Sequence, residues 1–352
     1  MPYTVQGFML IDVDVAALNN AGKDSTKTQE NAVSTKKIYK NGKSYAYVSG
    51  QAWRYWWRET LNREFKWNIS PVFKVDQKNT AYTAANPIQY DDDDMFGYMR
   101  AAKEIVETKG KQRSEDITLT RISPLKNSAF ISVSPTRFAQ HQAFSSRHEG
   151  SPVLYVKDEY CAVMKGMFSI ALDQVGTFSS QQRTGFKNLN ETLKQAALEE
   201  NAEEIDDPYA KDTNGNPLKL YRLPKNKRAK RILDSIKALE VLSGGAMQTA
   251  NLADVTPKLI VLATLAGGNH PFSHLAKDDL GKPVFSVEAL EQVANDYRSR
   301  ILGNIYVGRR MGFMDELEEP LQAFRAKDDR IFYGSVNVAI SEYVKALESH
   351  IP

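Results

Sequence analysis

A serine, a glutamine and two arginines recur at helical spacing between Ser49 and Arg58, interleaved with tryptophans. At about 100° per residue, Trp53, Trp56, Trp57 and Leu61 fall on one side of a helix, and Gln51, Arg54, Tyr55, Arg58 and Asn62 on the other. Ser49 stands where a helix cap belongs, and the helix is expected to run to about Phe65. Arginines near a helix start combine a charged fork with unpaired backbone N–H groups, which is phosphate-binding chemistry. Lys23, Lys27, Lys36 and Lys37 lead into the same end. The competing reading is a structural helix whose arginines pair with Glu59 or Glu64. On the residues alone, both stand.

No other motif carries catalysis. There is no Walker A sequence, no GxGxxG, no GxSxG and no Cys–His nucleophile signature. Cys161, the only cysteine, sits in an alternating apolar stretch and reads as a packed core thiol. His270 and His274 are four apart, but Pro271 and the preceding Gly-Gly-Asn place them on a loop rather than on a metal-binding helix face. The Asp91–Asp94 run lacks the spacing and glycine of an EF-hand. It reads as a solvated turn that caps a following helix through the helix dipole. Asp24 is a lone carboxylate, and a hydrolytic metal site usually needs more than one ligand. The expectation is a protein with no catalytic residue, no metal and no cofactor.

The elements that must position these residues follow from pattern and charge. The 352 residues carry a net charge of +3, with 42% hydrophobic and 25% charged residues, ordinary for a globular protein of two or three units. One cysteine excludes a disulfide scaffold, and nothing approaches the ~18 apolar residues of a membrane span. The N-terminus does not read as a signal peptide, so a cytoplasmic protein is expected. Charge lies in blocks: ten basic against four acidic residues over 21–66, eight against one over 219–237, and seven acidic against one basic over 199–212.

Tyr3 to Val13 reads as a strand, 19–34 as a loop, and Lys36 to Val48 as a hairpin about Asn41-Gly42. A helix is expected from Met95 to about Thr108, and strands at 117–122, 130–133, 153–156 and 160–172, the last two separated by a turn at Lys157-Asp158. Helices are expected at 188–204, 225–242, 287–300, 315–326 and 336–349, with a buried strand at 259–265. Strands and helices mix without regular βαβ alternation, which points to an α+β fold built on an antiparallel sheet.

The stretch Val48-Ser49-Gly50-Gln51-Ala52-Trp53-Arg54-Tyr55-Trp56-Trp57-Arg58 resembles the "SxQxxKRxxR"-like helix of the backbone subunit of type I CRISPR Cascade complexes, nearest to the DevR/Cst branch of subtype I-B. Further pieces agree in order. Gly7–Val13 is similar to the opening strand, Asp94-Met95-Phe96-Gly97-Tyr98 to "DLFGY", and Arg121-Ile122-Ser123-Pro124-Leu125 to "RxSPL". Phe168–Phe178 is similar to "SLDLDxVGxF", and Gly244-Gly245-Ala246-Met247-Gln248 to a Gly-rich turn before a buried strand. The resemblance covers about residues 5–270.

It implies an RRM-like (ferredoxin-like) palm with a helical finger insertion and a thumb insertion. The palm would take 1–66, 116–175 and 223–352, the finger 67–115 and the thumb 176–222. It implies a non-catalytic, RNA-binding subunit that stacks head to tail into a filament on one CRISPR guide RNA. Contacts would come from Lys23, Lys27, Lys36, Lys37, Ser49, Gln51, Arg54, Arg58, Gly244, Gly245, Met247 and Gln248, with Phe178 as a base wedge at the thumb. Partners would be the guide RNA, the target DNA strand paired to it, further copies of the chain, and the RNA-processing, PAM-recognising and small subunits. A helicase-nuclease or transposition proteins would join these. The opposed charge blocks at 199–212 and 219–237 would be the two faces of the filament contact, or one would touch nucleic acid. The alternatives are a metal-dependent ribonuclease of the type III backbone kind, acting through Asp24, and an RRM-like RNA-binding protein outside defence.

Overall fold

The computed structural model describes residues 2–23, 32–75, 80–101, 103–108, 111–116, 118–145, 149–183 and 185–352. Its centre is a mixed sheet whose main path contains eight strands. They are β1 (Tyr3–Ala16), β2 (Lys37–Lys40), β3 (Lys43–Val48), β4 (Phe130–Ser132), β5 (Val153–Ala171), β6 (Leu259–Ala266), β7 (Ile301–Arg309) and β8 (Ile331–Gly334). Their order is β8-β7-β6-β1-β5-β4-β3-β2, and only β7–β8 is parallel within it. The α+β class is as expected.

The central strands β1 and β6 are buried on both faces over most of their length, so they read as near-continuous apolar runs rather than alternating ones. Along β1, Val5, Met9, Ile11 and Val13 join one core, and Phe8 and Leu10 join another on the opposite face. The first core lies under α1 (Gly50–Phe65), α4 (Lys225–Lys237) and α7 (Val336–Leu347). The second lies under α5 (Val287–Asp296), α6 (Glu318–Lys327) and a hairpin, Ala276–Asp279 with Lys282–Phe285, that the sequence did not announce. The two remaining labelled helices are α2 (Asp91–Phe96) and α3 (Glu191–Glu199).

Several expectations are corrected. Gly97 ends α2 at φ +70°, where an added Cβ would meet the backbone of Arg121 and Ser123. The chain beyond it forms strands Tyr98–Arg100 and Lys103–Thr108, the latter paired with Lys111–Asp116, not a helix to Thr108. Among its described residues the stretch 67–115 is therefore mainly hairpin with one short helix, rather than helical. Lys157-Asp158 is not a turn. Val153–Ala171 is one strand that changes partner from Ala139–Ser145 to β1, and Gln140 Nε2 donates to Asp158 Oδ1 at 2.9 Å across that pairing. The helix expected over 188–204 stops at Glu199 and is followed by strand Glu203–Lys211. The expected loop 19–34 has short strands at its ends, Asn20–Lys23 and Ala32–Thr35. Cys161 is exposed, not core: it lies on the face of β5 away from the packed core, with Val15 N–H donating to its Sγ at 3.4 Å.

Candidate nucleic-acid interface

Ser49 caps α1 as expected. Its backbone is extended, and Ala52 N–H donates to its Oγ at 3.2 Å. Asn19, just past β1, knots this end together. Its Oδ1 accepts from Ser49 N–H at 2.9 Å, and its carbonyl accepts from Lys36 N–H at 2.8 Å. Ala246 N–H donates to Leu18 O at 2.9 Å, which brings the Gly-rich turn to the same place. Only glycine fits at 244, because a Cβ there would overlap the Trp56 indole. Gly245 and Met247 take left-handed backbone, and Gln248 donates to Gly244 O and to Ala253 O, closing the turn on itself.

The N–H groups of Gly50 and Gln51 have no acceptor among the described residues, as is normal at a helix start. They border a cleft of about 520 Å³ lined by Ser49, Gln51, Arg54, Tyr47, Lys126 and Asn127, among others. Gln51 and Lys126 are exposed beside it. Lys36 is half-buried, and Lys37 is exposed with its ammonium 5.1 Å from the Phe138 ring centre. Lys23 pairs in backbone register with Val33, while Lys27 and Asp24 lie outside the described residues.

Arg54 and Arg58 do not form the solvent ridge that the helical wheel draws. Arg54 donates to Leu125 O (2.8 Å), Asn127 Oδ1 (2.9 Å), Phe96 O (2.7 Å) and Ser123 Oγ (2.9 Å). Burial, and then the charge of Arg58, pulls its pKa down to about 10. Arg58 lies over the Phe96 ring at 4.6 Å with its Nε 3.2 Å from Asp92 Oδ2, and stays 28% exposed. Neither arginine pairs with Glu59 or Glu64; Glu59 takes Arg63 at 3.2 Å. Arg54 is thus a strut that shapes the cleft floor, and Arg58 is a partly exposed cation committed to Asp92 and Phe96.

The Asp91–Asp94 run is not solvated. Asp92, Asp93 and Asp94 are buried, and their carboxylates are taken by arginines and backbone donors. Asp94 accepts from Arg121, from Arg231 at 2.7 Å and from Gly176 N–H at 2.8 Å. Burial raises the Asp92 pKa to about 6 against the opposing pull of Ser70 N–H and Arg58. Among the described residues no group of three or more His, Cys, Asp or Glu could hold a metal ion. His270 is on a loop, its Nε2 3.0 Å from Gly7 O, and burial lowers its pKa.

Phe178 is fully buried in a small satellite core, with the Arg121 guanidinium 4.5 Å over its ring, so it presents no face to a base. The charge blocks at 199–212 and 219–237 pair with each other, Lys219 with Asp206 at 2.7 Å and Lys227 with Glu200. Sequence reasoning missed Tyr47, Lys126 and Asn127. Arg121–Leu125 was singled out, yet nothing local tells that Asn127 Nδ2 would donate to Gly50 O at 3.1 Å and so bring this segment against the helix start.

The class the fold defines is a mixed α+β protein in which the N-terminus of α1 opens into a cleft that Lys126 borders. The model of the family "CRISPR-associated negative auto-regulator DevR/Csa2" matches residues 8–281, and the chain belongs to that family. No curated protein matches the sequence. Two solved structures share the fold. A chain of "CRISPR RNA-guided surveillance complex" is 9% identical, with a TM-score of 0.50 over 97% of this chain and 99% of that one. A chain of "CRISPR RNA-guided surveillance complex, pre-nicking" is 10% identical, with a TM-score of 0.51 and the same coverage. Among the described residues no helix is long and apolar enough to cross a membrane.

Proposed function

We propose that this chain is a non-catalytic backbone subunit of a CRISPR RNA-guided complex of the type I-B kind, binding the guide RNA along its phosphates and stacking with further copies into a helical filament. The observation that carries the reading is the match to the DevR/Csa2 family over 8–281, a span that contains every element of the cleft. A repeated subunit need only bind phosphates and shape, because guide–target pairing reads sequence. Moderate net charge suffices when sites add along a filament. In this reading 67–115 and 176–222 are insertions on an RRM-like palm. The partners are the target strand paired to the guide and the other subunits of the complex.

The test is to express the chain, purify it without nuclease and size the RNA that accompanies it. Protected fragments in regular length steps are expected. Gln51→Glu with Lys126→Glu places two carboxylates in the cleft on exposed positions. It should abolish that protection while the thermal melt stays put. Unchanged protection sinks the reading. Mg²⁺-dependent cleavage of bound RNA that disappears in Asp24→Ala replaces it with the ribonuclease reading.

A further inference from the structure

The second face of the sheet is covered on one half only. Phe8 and Leu10 are buried there beneath Phe272 and Phe285. On β5 the cover thins: Val163 and Met167 still pack against that core and Lys165 Nζ donates to Ser273 O at 3.2 Å and Ala276 O at 3.4 Å, yet Val163, Lys165, Met167 and Ser169 are half-exposed, whereas Met164, Gly166, Phe168 and Ile170, which face α1, are buried. The register carries this open face outward. Lys165 lies opposite Ile131, and Ile131 opposite Tyr47. Across the next hairpin Tyr45 lies opposite Ile38, and Lys43 opposite Lys40. Residues opposite one another, or two apart on a strand, share a face. Tyr47 and Tyr45 therefore stand side by side about 7 Å apart on an open half-sheet. Tyr45, Tyr47 and Ile131 are half-exposed, while Lys40 and Lys43 are exposed at the rim. Burial and the charge of Lys40 lower the Lys165 pKa, which agrees with the two lying on one face.

Two observations decide what this face takes. Residues 31–58 contain six lysines and arginines and no acid, and no carboxylate pairs with Lys40 or Lys43 among the described residues. Tyr47 also lines the cleft at the start of α1, so the platform continues the candidate phosphate site without a break. We infer that the open half-sheet is a base-stacking platform for single-stranded nucleic acid, with Tyr45 and Tyr47 as its rings and Lys40 and Lys43 as its phosphate rim. The inference rests on the nucleic-acid reading above and adds to it a second contact mode, through base faces rather than phosphates.

The test uses the full chain and a single-stranded oligouridine. Tyr45→Ala with Tyr47→Ala should weaken binding by about 5- to 150-fold for each stacked base lost. The slope of log K against log salt should hold, because no phosphate contact is removed. Tyr45→Phe with Tyr47→Phe keeps the rings and should bind like the parent. Lys40→Ala with Lys43→Ala should instead flatten the salt slope. Ultraviolet crosslinking of the unmodified protein to the oligouridine should label the peptide holding Tyr45 and Tyr47, a readout that no folding defect can mimic. Parent-like binding by the alanine pair, or a crosslink that misses this peptide, overturns the platform and leaves the cleft reading standing. Intact RNA affinity with lost self-association in the alanine pair makes the face a contact between copies and equally overturns it. A parent protein that binds no RNA brings down both.

Discussion

Asp94 is the residue on which the interior charge converges. It is fully buried and holds Arg121, Arg231 and the Gly176 N–H together. Removing one partner of a buried ionic cluster leaves the others uncompensated and typically costs about 3–5 kcal/mol. Asp94→Asn should therefore lower the unfolding free energy, read from a urea titration, by that order. Asp91→Asn should cost less, because Asp91 is partly exposed and shares Arg231 with Asp94. Equal, small shifts in both variants would show that the cluster is solvated after all. The four aspartates were visible in the sequence, and a solvated turn was the natural reading of them. The arginines that claim them lie 27 and 137 residues away, and no local pattern encodes such a partnership. The same holds at the cleft. Arg54 and Arg58 were legible as the polar side of a helix, but not that four acceptors from two distant segments, Phe96 and the run Ser123–Asn127, would turn Arg54 inward.

At the scale of elements, legibility followed how much of an element's fate is local. α1 was readable because its cap, its tryptophan side and its polar side all lie within one run. The hairpin about Asn41-Gly42 was readable because both residues sit at positive φ, as a two-residue turn of this kind demands. The stretch Lys103–Thr108 was not, since its strand state depends on pairing with Lys111–Asp116. The cap of α1 also separates two roles of Ser49. Aspartate caps a helix as well as serine does and adds a charge that the helix dipole favours. Ser49→Asp should therefore keep or raise the melting temperature. The new carboxylate would face the cleft and repel phosphate, so RNA affinity should fall and its salt dependence weaken. Ser49→Ala should do the reverse, losing about 1 kcal/mol of stability with little change in affinity. Parallel loss of stability and affinity in Ser49→Asp would mean that the serine matters only as part of the fold.

Across the whole molecule, Arg121 ties the insertion at 176–222 to the sheet. Its Nη1 donates to Thr177 O at 3.0 Å, its Nη2 to Gln174 O at 2.8 Å and to Asp94, and its Nε to Asp94 O at 3.0 Å, while its plane covers Phe178. Phe178, Leu189, Ala197, Ala202 and Tyr221 of the insertion form, with Leu223 just beyond it and Ile88 from the stretch 67–115, a small core apart from the two cores of the central sheet. A unit whose core is apart from those of the sheet opens separately from the rest when its attachments weaken. Lysine keeps the charge but not the planar fork, so it can hold Asp94 and not the three carbonyls at once. Arg121→Lys should speed hydrogen exchange in Thr177–Ser179 and Pro217–Arg222, the paired strands of that unit. Exchange in β1 and β6, at the centre of the sheet, should stay as in the parent. Uniform acceleration would show that the insertion and the sheet unfold as one body. Unchanged exchange would show that the backbone pairing, not the guanidinium, holds the insertion in place. In the expected case Arg121 helps set the attitude of the insertion relative to α1, because Asp94 and Asp92 are two residues apart on α2 and Asp92 meets Arg58, four residues along α1 from the cleft-lining Arg54.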